Sequence, residues 1–163
     1  MAQRYLIALG SNRRHPHHGS PERVIAAAAR ALGQADVKVL VLAPVMRSAP
    51  LGPSLRRYAN AAAVVRTHKD PAALLRALKR IERQFGRRQG GQRWTARVLD
   101  LDIVLWSGGA WVSPDLIIPH PAFRERAFVL GPARAIAPHW RDPMTGLTVQ
   151  NLAFRRLRPV RCP

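Results

Sequence analysis

The chain has 163 residues, with 27 Lys and Arg against 9 Asp and Glu, a net charge of +18 and 47% hydrophobic residues. That length and apolar content suit one domain over residues 1–163 with a single sizeable core, and they exclude a disordered chain. A single cysteine, Cys162, excludes an internal disulfide or cysteine–metal framework, and no apolar run approaches the about 20 residues of a membrane span, which together fit a cytoplasmic protein.

Residues 4–9 read as a strand that runs into the turn cluster Gly10-Ser11-Asn12. Ser20, Pro21 and Glu22 then supply a capping residue, a proline at the first helical position and an acid in the first turn, so a helix starts here and closes at Gly33. Residues 37–46 are β-rich and predict one long strand, followed by a loop whose shape Pro50 and Pro53 restrict. Residues 58–67 are the next strand. Asp70-Pro71 repeats the cap-and-proline signature, and Leu74, Leu75, Leu78, Ile81 and Phe85 trace an amphipathic helix ending at Gly86. Residues 87–92 form a basic glycine-rich loop, expected to be mobile without a ligand. A strand over 98–105 follows, then a hairpin through Ser107, Gly108 and Gly109 to Trp111 and Val112. Helices over 127–136 and 149–157 close the chain. The order β-α-β-β-α-β with added helices is the split βαβ arrangement, an α+β, ferredoxin-like fold.

Acid is scarce in this chain, so Asp100 and Asp102 within an apolar run call for a specific role. In a strand the side chains alternate, which puts Leu99, Leu101, Ile103 and Leu105 on a core face and both aspartates on the other, about 7 Å apart. Two carboxylates so placed suit Mg²⁺, which prefers oxygen ligands shared with phosphate, and a pair of ions about 3.5 to 4 Å apart can be clamped this way. A strand with two solvated acids is the plain alternative. Arg93, Trp94 and Arg97 just upstream favour a site, because guanidinium forks bind phosphate oxygens bidentately.

Several segments taken together resemble the 6-hydroxymethyl-7,8-dihydropterin pyrophosphokinase family of folate biosynthesis. They are residues 8–12 (ALGSN), 47–53 (RSAPLGP), 58–61 (YANA), 80–82 (RIE), Gly86-Arg87, 93–102 (RWTARVLDLD), Pro119-His120 and 126–128 (RAF). Each is weak alone; their order and spacing are specific. The resemblance implies an αβα ferredoxin-like sandwich with a mainly antiparallel sheet. It also implies an ATP-dependent transfer of pyrophosphate to a pterin alcohol, by in-line attack of the hydroxymethyl oxygen on the β-phosphorus with AMP leaving. Asp100 and Asp102 would hold two Mg²⁺ ions. Tyr58 and Phe128 would sandwich the pterin ring, Asn60 would read its edge, and Ser48 and Leu51 would line the same pocket. Glu82, Arg93, Trp94, Ile103, His120 and Arg126 would surround ATP, with Arg87 and Arg97 acting on the transferred group. Thr95, Lys79, Gly90, Gly91 and Pro121 depart from the family pattern, which bears on nucleotide affinity and loop closure.

The charge and the ferredoxin-like order also suit an RNA-recognition module. No K/R-G-F/Y motif is present, however, and the aspartate pair repels a phosphate backbone, so no nucleic-acid partner is expected. A paralogue that binds pterin or nucleotide without turnover is the other alternative. A monomer is expected, and residues 15–18 (HPHH) read as a polar loop rather than a transition-metal site.

Overall fold

A computed structural model describes residues 1–48, 58–86 and 98–157. Seven strands and four helices occur in them: β1 (Gln3–Ser11), α1 (Pro21–Gln34), β2 (Lys38–Leu42), β3 (Met46–Ser48), β4 (Tyr58–Thr67), α2 (Pro71–Gln84), β5 (Asp100–Trp106), β6 (Trp111–Ser113), β7 (Leu116–Ile118), α3 (Ala127–Ile136) and α4 (Val149–Leu157). The main sheet is antiparallel throughout and runs β2-β4-β1-β5, with β3 also on β4. This is the ferredoxin-like order, and helices cover both faces.

The two central strands bury both sides. Tyr5, Ile7, Leu9, Ala61, Ala63, Val65, Leu101 and Ile103 meet Val24, Ile25, Leu32, Leu74, Leu78 and Ile81 of α1 and α2. On the opposite face Leu6, Ala62, Val64, Val104 and Leu105 meet Phe123, Val129, Leu130, Leu152 and Ala153 of the α3/α4 layer. Each such side chain contributes about 1.5–3 kcal/mol on burial, so these two clusters hold the layers together.

Five local expectations change. The long strand over 37–46 is two strands on one edge, because the register shifts between Ala43, whose N–H donates to Ala62 O, and Met46, which pairs with Asn60, leaving one extra residue on this edge. Leu105 leaves the α1/α2 face: a bulge opposite Leu6 and Ile7 puts Val104 and Leu105 together in the α3/α4 cluster. The hairpin after β5 is a single bridge, Trp106 to Gly109, and residues 111–113 pair with β7 in a separate two-stranded sheet. A Cβ at Gly108 would collide with the Trp106 ring, so this turn needs glycine there. Ser20 holds the N-cap conformation of α1 without a side-chain cap bond, whereas Asp70 accepts from Ala73 N at 2.7 Å at the start of α2. Helix α1 runs one residue past Gly33, and the left-handed position after it belongs to Asp36, at φ 58°.

Candidate active site

The acidic strand faces the α3/α4 side. Leu101 and Ile103 lie in the opposite cluster, and Asp102 is in register with Ala8, which packs toward α3/α4. One row further along, Asp100, Gly10, Asn60 and Met46 stand side by side across four strands. Adjacent strands lie about 4.8 Å apart, so Asp100 and Asn60 flank an open floor made by the missing side chain of Gly10. A Cβ on Gly10 would come to 3.6 Å from Asn60 Oδ1, so the amide already leans over that floor.

The wall beyond Asn60 is built by β3 and α3. Asn60 Nδ2 donates to Ser48 Oγ at 2.7 Å, which leaves Oδ1 to face a ligand. Tyr58 shares the Asn60 face by alternation and is half-buried. Phe128, in the first turn of α3, packs against the cluster on the same face, and α3 comes close enough to β3 that a Cβ on Gly131 would meet Met46 at 3.4 Å. The structure thus brings Ser48, Tyr58, Asn60 and Phe128 to one side of the aspartates.

His120 and Arg126 close the other side. The chain returns from β7 to the open edge of β5, where His120 N donates to Val104 O at 3.0 Å. The peptide bond before Pro119 is cis. His120 Nδ1 accepts from Ala122 N at 3.1 Å, so the neutral ring carries its proton on Nε2, as a donor. Burial is the main cause that lowers the His120 pKa, helped by Arg126 and opposed by Asp102 and Asp100. Arg126 lies with its guanidinium 5.7 Å from the Phe128 ring centre. Between them Arg124 grips the fully buried Asp142 at 2.6 and 2.8 Å, which anchors the segment that carries both residues.

Burial and the neighbouring Asp100 raise the pKa of Asp102, while His120, Lys79 and Arg126 pull it down. A divalent cation between the two carboxylates would relieve that repulsion. The donor set fits Mg²⁺: two hard carboxylates, with no group of three or more His, Cys, Asp or Glu able to hold a metal among the described residues. Most coordination positions are thereby left to water and phosphate oxygens, the pattern this ion prefers.

Two of the expected nucleotide-side residues, Ile103 and Glu82, are buried. Ile103 is 2% exposed, and its side chain belongs to the α1/α2 core. Glu82 is fully buried beneath β5 and accepts from Leu101 N. Leu51, Arg87, Arg93, Trp94 and Arg97 lie outside the described residues, as does the glycine-rich loop over 87–92. His15 Nδ1 accepts from the N–H groups of His17 and His18 and makes a turn of the histidine run. Two contributors were named in the sequence reading without the part they play in this geometry. Gly10 had a signal in its turn cluster, and Lys79 stands three residues before Glu82 on one helix face, a spacing at which opposite charges meet.

Comparison with known proteins identifies the family. The family model for 7,8-dihydro-6-hydroxymethylpterin-pyrophosphokinase (HPPK) matches residues 6–138. A Pseudomonas aeruginosa protein named 2-amino-4-hydroxy-6-hydroxymethyldihydropteridine pyrophosphokinase is 38% identical over 144 residues, 88% of this chain and 86% of that one. A Methylorubrum extorquens protein of the same name is 34% identical over 158 residues, 96% and 94% of the two chains. The match to a Synechocystis relative is 39% identical over 65% of this chain and 54% of that protein. Among solved structures, an HPPK-DHPS crystallised with substrates has a TM-score of 0.72 at 13% identity, which bears on the fold alone, and the chain spans 43% of its length. With the model matched over most of its length and relatives above 30% identity end to end, the chain belongs to the 7,8-dihydro-6-hydroxymethylpterin-pyrophosphokinase family.

Proposed function

We propose that this chain carries out the family's reaction at the floor between Asp100 and Asn60. It transfers pyrophosphate from ATP to the hydroxymethyl group of 6-hydroxymethyl-7,8-dihydropterin. The pterin oxygen attacks the β-phosphorus in line, the bond to the α-phosphate oxygen breaks, and AMP leaves. The observation that carries this reading is the row Asp100-Gly10-Asn60, with a carboxylate at one end, an amide at the other and a residue without a side chain between them in register.

Asn60, oriented by Ser48, would read the pterin edge, and Tyr58 and Phe128 would hold the ring faces, with Leu51 beside them. Stacking of that kind adds about 0.5–1.5 kcal/mol beyond area burial. Asp100 and Asp102 would hold Mg²⁺, as two ions in this reading, and the bound metal supplies positive charge to the polyphosphate. His120, through Nε2–H, and Arg126 would donate to phosphate oxygens. Arg93 and Trp94 belong with them on the nucleotide side, and Arg87 and Arg97 would stabilise charge on the transferred group. Catalysis is then positioning and electrostatics, with no side chain named as a general base. The same proposal has residues 1–163 acting as one cytoplasmic domain and as a monomer. No described helix is long and apolar enough to cross a membrane.

The test is formation of AMP and pterin pyrophosphate by the wild type, Asp100→Ala and Asp102→Ala, with and without Mg²⁺. Turnover is expected to require Mg²⁺ and to fall on the order of 10³-fold in each variant. Undiminished turnover in both variants would sink the metal assignment. A wild type that binds both substrates without producing AMP would identify a binding-only member of the family.

A further inference from the structure

One buried carboxylate covers the open edge of β5. Among the described residues this strand pairs with β1 alone in the main sheet, so backbone N–H groups on its other side need an acceptor from elsewhere. Leu101, between the two aspartates, has such an N–H, and α2 packs over that edge. Glu82, near the end of α2 and 0% exposed, accepts it at 2.8 Å through Oε1. Lys79, one turn earlier, lies 3.3 Å from Oε2 of the same carboxylate.

We propose that Glu82 is a positioning residue for the phosphoryl-transfer site: its bond to the Leu101 amide fixes the peptide planes that aim Asp100 and Asp102 to one side of the sheet. This rests on the assignment of those aspartates made above. The planes on either side of Leu101 set the directions of both neighbouring Cβ atoms, so a tilt there changes the spacing of the carboxylates. A carboxylate makes a stronger bond to the amide than a neutral acceptor would. It also brings a third negative charge under the acidic strand, and Lys79 offsets that charge. Glu82 has no surface open to solvent, and its oxygens bond Leu101 N and Lys79 Nζ, which suits support of the strand.

The experiment compares Glu82→Gln, which keeps an acceptor of the same length, with Glu82→Leu, which keeps the volume and loses the acceptor. Three quantities are read: the amide proton shift of Leu101, retention of Mn²⁺ in the presence of ATP, and kcat against the KM of each substrate. Glu82→Leu is expected to move the Leu101 amide upfield, and to weaken Mn²⁺ retention and lower kcat by about 10- to 100-fold, with the pterin KM unchanged. Glu82→Gln is expected to restore most of all three. Equal loss in both variants, confined to the KM for ATP, would make Glu82 a nucleotide ligand and overturn the inference. So would a folded Glu82→Leu with wild-type kcat and Mn²⁺ retention. Should Glu82→Leu fail to fold, Glu82→Asp takes its place: the carboxylate remains but falls short of Leu101, so kcat drops below that of Glu82→Gln, and the reverse ranking overturns the inference. The amide shift and Mn²⁺ retention need no turnover, so an inactive wild type would count against the proposed reaction alone.

Discussion

The two faces of the sheet solve different problems with the same strands. Toward α1 and α2 the rows are apolar from Tyr5 to Leu101, and two 14-residue helices cover them. Toward α3 and α4 the cover is shorter, 10 and 9 residues, and the rows change character along the strands. Leu6, Val64 and Leu105 are roofed, Ala8, Ala62 and Asp102 come next, and Gly10, Asn60 and Asp100 lie beyond. At the other end of this face Arg4, Arg66 and Lys38 stand in register and exposed, so the strand rows run from cationic side chains at one end to the two aspartates at the other. A closed face can hold a strand rigidly while the open end of the other face presents its polar side chains, because alternation keeps the two tasks on different residues.

The sharpest way to break that comparison lies within one tripeptide. Asp102→Asn should cut turnover on the order of 10³-fold while leaving stability without Mg²⁺ unchanged or higher, since burial and Asp100 already disfavour the Asp102 charge. Leu101→Ala, one residue away on the closed face, should cost about 2–5 kcal/mol of stability. Denaturant unfolding of both variants, alongside the AMP assay, would show whether the faces are separable. A stability loss in Asp102→Asn matching that of Leu101→Ala would show that they are not.

A smaller effect is expected at the floor. Gly10→Leu fills the space beside Asn60 Oδ1 and should raise the pterin KM by roughly tenfold or more, with kcat and stability less affected. An unchanged pterin KM would move the binding site off this row.

The closed face also makes a pH prediction. Tyr5 donates its hydroxyl to Lys69 O at 2.8 Å, and burial, then the Asp70 charge, pushes its pKa up to about 12. The folded value lies above the unfolded one of about 10. Stability from this group is therefore complete below about pH 10 and is lost as pH rises toward 12. Of the two tyrosines, one should titrate late by ultraviolet absorbance in the native protein, and Tyr5→Phe should remove that step.

The smallest effect is expected at His15, whose pKa burial and the neighbouring His18 and His17 lower. Its Nδ1 is an acceptor for His17 and His18, a role that protonation ends. The neutral form is favoured in the fold, so this stability is present above the unfolded pKa near 6.5 and fades as pH falls through the lower folded value. His15→Asn, which keeps an acceptor at the turn, should flatten that slope in an acid unfolding series.

Much of this was readable from local signals. Asp70-Pro71 starts α2 as expected because the aspartate caps a neighbour three residues away, within its own reach. The alternation around Asp100 and Asp102 holds up to Ile103, since it depends only on the strand's own pleat. It fails at Leu105, where the bulge opposite β1 depends on the partner strand. The split of residues 37–46 depends on β4: Ala43 meets Ala62 and Met46 meets Asn60, so one residue is left over, and only the partner strand shows it. The role of Glu82 came from the resemblance alone, and its bond to Leu101 N had no local signal because it joins residues 19 apart.

The sequence by itself determined the order of the elements, the starts of α1 and α2, and the shared direction of the two aspartates. These follow from steric and hydrogen-bonding preferences over a few neighbouring residues. Only the tertiary structure decided that Asp100 faces Asn60 across Gly10, that His120 returns to the edge of β5, and that Glu82 supports Leu101 from below. Register, edge closure and burial arise from the packing of distant segments, and no local pattern encodes which distant acceptor meets which donor.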